Sequence, residues 1–381
     1  MNGKVVGAVS DLPQVKPKRA AAQTLDGSES YSRQYDVIFS EPLKLNRAVP
    51  KPDRVAQSEE PGGFPVFWSA NQGLPAVYGT PKKNFFFGRK WEAKDLAYGG
   101  FIAGVHLLCL LAPMTFSWKM VGLWAASYFV TGCLGITLGY HRLLSHRSFT
   151  CPKWLEYVFA YCGALAVQGD PLEWASVHRY HHLHTETPLD PHSSYEGFWW
   201  SHCGWLLDCK TTDERTHDRG NASDMAAQPF YRWMARTYTW HMLAQAAVLL
   251  AVWGLPGLVW GFAVRVAWVW HITWFVNSAS HVWGGQTYDT QDLSRNNWWV
   301  AVLAFGEGWH NNHHAFEYSA RHGLDWWQFD MTWLIIRGLE LVGLADKLKY
   351  PSSKAKARLA FEQPLSQAQV DARGRANGYA H

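Results

Sequence analysis

Four apolar stretches, each near the length needed to cross a bilayer, constrain the fold of this 381-residue chain most strongly. They cover Leu96–Phe116, Val121–Tyr140, Tyr238–Trp253 and Leu258–Ser280. A membrane-spanning helix needs about 20 mainly apolar residues, and the turn sequence Gly254-Leu-Pro-Gly257 separates the last two stretches. Charged residues make up only 17% of the chain, which also has 23 Trp, a composition typical of membrane proteins with interfacial aromatic belts. We predict an all-α membrane protein with four transmembrane helices.

The segments outside these stretches are polar and suggest four regions. Residues 1–60 begin basic and lack the apolar core of a secretory signal, so we predict an organellar transit peptide there, with a cytosolic tail as the alternative. Residues 61–95 form a polar lead-in, residues 96–350 the membrane domain, and residues 351–381 a polar tail. The net charge of +4 is small, and no basic-aromatic stripe indicates nucleic-acid binding.

Histidines cluster just outside the apolar stretches. The clusters read HRLLSH at 141–146, HRYHH at 178–182 and HNNHH at 310–314, and NSASH at 277–281 adds one more. With four spans, every cluster reaches the same face of the membrane, whereas three or five spans would separate them. We therefore expect a helical cap on that face that holds a His-rich metal site.

Helical spacing brings these histidines together. Residues three and four apart share a face of an α-helix, so each HxxHH cluster converges, and Asn277 lies one turn before His281. His141 and His146 are five apart, about 140° round an ideal helix, so they can share a site only if the helix ends or bends there. Isolated histidines such as His106, His271 and His322 are expected to be surface or core residues, and His192 and His202 to be minor candidates.

Nine imidazoles exceed what one metal binds but suit two. Imidazole ligands fit iron, copper, zinc or nickel; an apolar membrane substrate favours two irons that activate O₂ over zinc hydrolysis. Outer carboxylates would orient the imidazoles. The nearby candidates are Asp170, Glu173, Asp190, Glu307 and Glu317.

The boxes HxxxxH, HxxHH and HxxHH resemble those of the membrane fatty acid desaturase family, in its stearoyl-CoA-desaturase-like branch. The resemblance covers about residues 90–350 and includes GITLGYHRLLSHRSF, QGDPLEWASVHRYHH and GEGWHNNHHAFEYSARHGL. Related hydroxylases usually space the first box differently. The resemblance therefore favours desaturation over lipid hydroxylation, which a hydroxylated product would reveal.

The resemblance also implies a site. Histidines would bind two Fe ions, and O₂ would be the co-substrate. Asn277 would bind one of the ions through a water molecule. No catalytic residue beyond these ligands is expected. Gln168, Trp174 and Thr273 would form the bend of an acyl tunnel and so contact the substrate. The implied iron ligands are His141, His146, His178, His181, His182, His281, His310, His313 and His314.

Within that branch, HITWFVNSASHVWGG and SARHGLDWWQFDMTW look most like plant and algal members. This implies delta-7 desaturation of palmitate esterified in monogalactosyldiacylglycerol, with ferredoxin as electron donor, in a chloroplast membrane. The alternative is a delta-9 acyl-CoA desaturase of the endoplasmic reticulum that uses cytochrome b5. A remote alternative from another class is a non-catalytic metal or haem carrier.

Overall fold

Two long apolar helical segments are the candidate membrane spans of the computed structural model, which describes residues 89–187, 189–216 and 219–376. Within that part of the chain, Trp118–Ser145 and Pro229–Val282 are the two segments long and apolar enough to cross a membrane. The predicted transit peptide and most of the lead-in lie outside the described residues. The chain is mostly helical, as predicted.

The longer segment reverses direction at Gly254. This residue has φ 64° and ψ −158°, a non-helical conformation that glycine adopts readily. Arg265 donates from Nη2 to Oε1 of Gln245 at 2.8 Å, although 20 residues of straight helix would separate them by about 30 Å. The segments on either side of the predicted turn are therefore two antiparallel helices.

The first predicted span differs from the prediction in its length. The helix α1 covers Ala93–Cys109, which is 17 residues, and a short 3-10 helix at Pro113–Thr115 follows. Proline cannot donate a backbone hydrogen bond, so the apolar stretch is interrupted there. The stretch Leu96–Phe116 is thus not one continuous helix.

The first histidine box lies on a π-helix. The helix α2, Trp118–Tyr128, continues into a π-helical segment at Phe129–Ser145. A π-helix forms its hydrogen bonds between residues five apart, and the N–H of His146 donates to the carbonyl of His141 at 3.1 Å. This spacing aligns His141 with His146, where the sequence suggested a helix end or bend.

Close helix packing supports this π-helix. A Cβ on Gly135 would lie 2.5 Å from the backbone of Cys162 and Gly163, and a Cβ on Gly163 would lie 2.4 Å from the ring of Tyr140. Small residues let neighbouring helices approach closely. The helix α3, Lys153–Ala164, therefore lies directly against the segment that carries the first box.

Short helices form the polar cap. The helix α4, Pro171–His184, carries the second box and begins at Asp170, whose Oδ1 accepts the backbone N–H groups of Leu172 and Glu173. The later helices run from the cap through the membrane segment to the C-terminal region. They are α5 (Phe198–His202), α6 (Cys209–Thr216), α7 (Ser223–Ala226), α8 (Pro229–Gly257), α9 (Arg265–Asn277, after a π-helical turn at Leu258–Val264), α10 (Ala279–Val282), α11 (Trp298–Leu303), α12 (His310–Ala315), α13 (Met331–Leu341), α14 (Ser353–Leu359) and α15 (Gln367–Ala376).

The polar tail is attached to the cap through a two-stranded sheet, which the all-α prediction omitted. The strand β1, Gln286–Tyr288, pairs antiparallel with β2, Ala360–Leu365. The backbone N–H groups of Thr287 and Tyr288 donate to Oδ1 of Asn311, both at 2.8 Å. Since Asn311 lies inside the third histidine box, this sheet fixes one side of the histidine site.

Candidate metal centre

The structure divides the nine nominated histidines into two groups. Within each group, one ligand atom per residue lies within 4.8 Å of every other. Two groups of five and four match the ligand numbers that a pair of metal ions would require. The first contains His141, His146, His178, His182 and His313, and the second contains His181, His281, His310 and His314.

Each box contributes to the site through its own helix. In the five-histidine group, Nε2 of His146 lies 3.2 Å from that of His141 and 2.7 Å from that of His178. Nε2 of His313 lies 3.2 Å from that of His141 and 3.0 Å from that of His182. The π-helix, α4 and α12 thus point their imidazole nitrogens at one centre.

The four-histidine group joins α4, α10 and α12. Nε2 of His310 lies 3.0 Å from Nε2 of His281. The ring of His314 lies 5.3 Å from that of His181 and 4.3 Å from that of His310, between centroids. His310 and His314, four residues apart, share this group, as His178 and His182 share the other. His181 and His313 each lie in the opposite group from the other two members of their box, so the prediction that each whole HxxHH cluster converges was wrong.

Carboxylates face the outer nitrogens of five of these histidines. Nδ1 of His141 lies 2.7 Å from Glu307, and Nδ1 of His182 lies 3.4 Å from Glu317. In the second group, His181 faces Asp190 at 2.9 Å, His281 faces Glu186 at 2.9 Å, and His314 faces Asp292 at 2.8 Å. Such outer partners fix the tautomer and orientation of an imidazole.

Three of the five carboxylates suggested by the sequence, Asp190, Glu307 and Glu317, lie in this layer. Asp170 instead caps α4, and Glu173 pairs with Arg219 at 3.3 Å. Sequence reasoning missed Glu186 and Asp292. Both lie in irregular segments, where no helical period relates them to a histidine box.

The charge state of the site suits cation binding. Burial and neighbouring histidines lower the pKa of His178, His182, His310 and His313, so these imidazoles are neutral, the form that binds metals. Burial raises the pKa of Glu307, but Arg142 and nearby histidines outweigh it and hold that pKa well below its usual range. Its carboxylate is therefore ionised.

Three carboxyl groups lie beside the four-histidine group. Burial opposes ionisation, yet His181 lowers the pKa of Asp190, and His314 lowers that of Asp292. Burial together with these two carboxylates raises the pKa of Glu186 well above its usual range. Three carboxyl groups thus crowd one group of imidazoles, and a bound cation would offset the charge of those that are ionised.

The lone pairs of the imidazole nitrogens show whether the site fits a metal ion. A neutral imidazole that donates through Nδ1 to a carboxylate has its lone pair on Nε2. His181, His281 and His314 place Nδ1 within hydrogen-bond distance of a carboxylate oxygen, and Nε2 of His314 is buried with no hydrogen-bond partner among the described residues. Facing lone pairs repel unless a cation lies between them, so the donor set fits soft-to-borderline metal ions.

Three further residues border the site. Asn277 ends α9, and its backbone carbonyl accepts from Ser194 Oγ at 3.1 Å; its water-mediated role stays a prediction. His322 is buried, and its Nδ1 lies 3.0 Å from Glu307, while the His192 ring lies 4.3 Å from that of His181. Lone histidines carry no spacing signal, so the sequence could not place these two beside the boxes.

The three proposed substrate residues form one hydrogen-bonded chain. Trp174 Nε1 donates to Oε1 of Gln168 at 3.2 Å, and Nε2 of Gln168 donates to Oγ1 of Thr273 at 2.9 Å. The Trp174 ring stacks on His178, with centroids 5.1 Å apart and an interplanar angle of 24°. This chain therefore connects α4 with α9 directly beside the five-histidine group.

Comparisons with known proteins agree with this site. The sequence model of the family described as fatty acid desaturase matches residues 70–343. The chain is 54% identical over 280 residues to the chloroplastic palmitoyl-monogalactosyldiacylglycerol delta-7 desaturase of Arabidopsis thaliana, covering 74% of this chain and 76% of that protein. It is 52% identical over 274 residues to the acyl-CoA C20 Delta5-desaturase of Anemone leveillei, covering 72% and 88%.

A third relative is the delta-9 acyl-lipid desaturase 1 of Arabidopsis thaliana, 50% identical over 280 residues, which cover 74% of this chain and 92% of that protein. The helical fold, the histidine groups and these matches define one class, so the chain belongs to the fatty acid desaturase family. It is an oxidoreductase, and the predicted resemblance is confirmed. The named relatives differ in the position of the double bond and in the carrier of the acyl chain.

Proposed function

We propose that this enzyme introduces a cis delta-7 double bond into palmitate esterified in monogalactosyldiacylglycerol. Two adjacent methylenes each lose one hydrogen, while O₂ is reduced to water with two electrons from ferredoxin and two protons. The observation that carries this proposal is the hydrogen-bonded chain Trp174–Gln168–Thr273 stacked against His178 of the five-histidine group. The identity to a delta-7 galactolipid desaturase supports the substrate.

The nine histidines would hold two iron ions, five around one and four around the other. When bound, these ions would supply O₂ activation and the oxidising power to break unactivated C–H bonds. The protein would hold the imidazoles by their Nδ1 atoms through carboxylates such as Glu307 and Asp190. Asn277 would bind one ion through water.

The bend residues would set which C–C bond is presented to the site. Gln168, in the loop between α3 and α4, donates to Thr273 of α9, and the Trp174 ring faces both Gln168 and His178. An acyl chain that turns there would hold one methylene pair near the imidazoles, a proximity effect. Holding the chain in this bent form would favour the cis product.

Four spans would put the whole site at one membrane face. The reversal at Gly254 makes two of them from Pro229–Val282, and Trp118–Ser145 and the region of α1 would supply the others. Residues 96–350 would then form the desaturase domain, with the polar tail from 351 on the same side. We place the enzyme as a multi-pass protein in a chloroplast membrane, after removal of a transit peptide within residues 1–60.

Lipid analysis after expression of the full chain tests this proposal. In a host that supplies ferredoxin and galactolipid, gas chromatography with double-bond location should find delta-7 16:1 in the galactolipid. The His181→Ala variant, inserted in the membrane at equal level, should give none. A delta-9 product in acyl-CoA, made with cytochrome b5 in the endoplasmic reticulum, would contradict the proposal and support the alternative substrate.

A further inference from the structure

A polar cleft opens beside the proposed acyl bend. Its volume is about 200 Å³, and it is partly open to solvent. It lies between α4 and α6. The lining residues are Glu173, Ser176, Val177, Asp213, Thr216 and Arg219.

The cleft adjoins the acyl bend through α4. Glu173 directly precedes Trp174, and Oε2 of Glu173 lies 3.3 Å from where a Cβ on Gly169 would be. Gly169 in turn directly follows Gln168. Residues of the cleft and residues of the proposed acyl bend are therefore neighbours at the start of α4.

In and beside the cleft, acidic side chains slightly outnumber basic ones. Arg219 lies 3.3 Å from Glu173 and 3.8 Å from Asp170, and Lys94 lies 2.7 Å from Asp213. Three carboxylates thus face two cations, and each of these cations already has an acidic partner. Among the described residues of the cleft, a headgroup with several phosphates would meet more carboxylates than cations and no unpaired cation, which disfavours it.

The cleft can form hydrogen bonds with the hydroxyl groups of a sugar. Ionised carboxylates accept from sugar hydroxyls, and a guanidinium donates to them. Ser176 and Thr216 are buried hydroxyl residues at the base of the cleft, held by Asn221 Oδ1 and by the Thr212 carbonyl. Each hydroxyl oxygen keeps a lone pair that can accept a further hydrogen bond.

We propose that this cleft binds the uncharged hexose headgroup of the lipid substrate, with Glu173 and Asp213 accepting hydrogen bonds from its hydroxyl groups. The inference rests on the proposed function and names the part of the chain that selects the carrier of the acyl group. The cleft thereby discriminates against both acyl-CoA and anionic phospholipid.

A competition assay tests the proposal. The iron-loaded full chain receives vesicles with equal amounts of dipalmitoyl monogalactosyldiacylglycerol and dipalmitoyl phosphatidylglycerol, with palmitoyl-CoA in a parallel arm. The wild type should desaturate mainly the galactolipid. The double variant Glu173→Gln/Asp213→Asn should lower the ratio of galactolipid to phospholipid product by about tenfold, as expected for losing roughly 1.4 kcal/mol of hydrogen bonding, with the double-bond position unchanged.

Two further variants keep the result interpretable. Glu214→Gln changes an exposed acid on the same helix that does not line the cleft, and its product ratio should equal that of the wild type. Thr216→Val, a milder change in the cleft, should lower the ratio in the same direction if the double variant folds poorly.

The outcomes separate the two proposals. A wild type that selects galactolipid, with the same ratio in both cleft variants, overturns the headgroup site and leaves the proposed function intact. A wild type that acts on palmitoyl-CoA and ignores galactolipid overturns the proposed substrate. In that case the hexose assignment of the cleft fails with it.

Discussion

Asp292 Oδ2 lies 2.8 Å from Nδ1 of His314, although the two residues belong to different segments of the cap. Asp292 also accepts from Thr290 Oγ1 at 2.6 Å and from the backbone N–H of Ser294 at 2.9 Å. This carboxylate is therefore held in place and in turn fixes the tautomer of His314.

Replacing this carboxylate should weaken metal binding. Asp292→Asn removes the ionised acceptor of His314, and the loss of such an outer partner typically lowers metal affinity or activity 10–100-fold. Iron content by mass spectrometry and desaturase turnover would measure this. Asp289→Asn is the control, because Asp289 is partly exposed and pairs with Arg373 rather than a histidine; equal iron loss in both variants would contradict the assigned role.

The bend residues make a second prediction about product. Thr273→Val removes the hydroxyl that accepts from Gln168, so the acyl chain should be held less firmly and give a mixture of double-bond positions. Thr237→Val is matched, since Thr237 Oγ1, like that of Thr273, donates to the carbonyl four residues earlier. Gas chromatography with double-bond location would measure the products of both variants. If Thr273→Val still makes a single product with the double bond at the wild-type position, these residues do not form the bend.

Helix packing at Gly135 should be sensitive to one methyl group. Gly135→Ala places a Cβ 2.5 Å from the backbone of Cys162, and such overpacking costs about 1–3 kcal/mol. Thermal unfolding in detergent should show a lower midpoint. Gly122→Ala adds the same methyl in the same apolar segment, where nothing lies within 4 Å, and should leave the midpoint unchanged or raise it.

Asp224 should contribute pH-dependent stability to the second box. Burial raises its pKa, but Arg179 and Arg147 outweigh that effect and lower it. Because the folded-state pKa is depressed, the contribution is complete above the ordinary value of about 4 and is lost as pH falls through the lowered value. Asp224→Asn should lose about 1.5–3 kcal/mol at neutral pH.

Unfolding of wild type and Asp224→Asn across pH would check this. The gap between their unfolding free energies should be constant from about pH 5 to 7 and should narrow below about pH 4. A gap that widens on acidification would contradict the ion pair as its source. Arg179 Nη1 lies 2.8 Å from this carboxylate, on the helix that carries His178 and His181.

The members four residues apart in each HxxHH box were predictable, because one turn of helix places them on the same face, whereas His181 and His313 were not, because each lies in the other group. His310 and His314 face the same group for that reason. His141 and His146 violate the α-helical period, and only the π-helical backbone explains their alignment. No local signal distinguishes such a segment from an ordinary apolar helix.

Long-range partners were beyond any local rule. Glu186 and Asp292 approach His281 and His314 only after the cap folds, and their own neighbours in sequence give no period. The bend residues were predicted from the resemblance to the desaturase family and not from a pattern in the sequence. Their hydrogen-bonded chain needs α4 and α9 to meet, which sequence spacing does not specify.

The pairing of β2 with β1 ties the C-terminal part of the described chain to the segment that supports the third histidine box. Deleting the residues after Pro351 would remove β2, the strand that pairs with β1. The backbone amides of β1 that donate to Asn311, between His310 and His313, would then be less firmly positioned. Affinity handles or fusion partners joined at the carboxyl terminus therefore need a spacer long enough to leave that strand undisturbed.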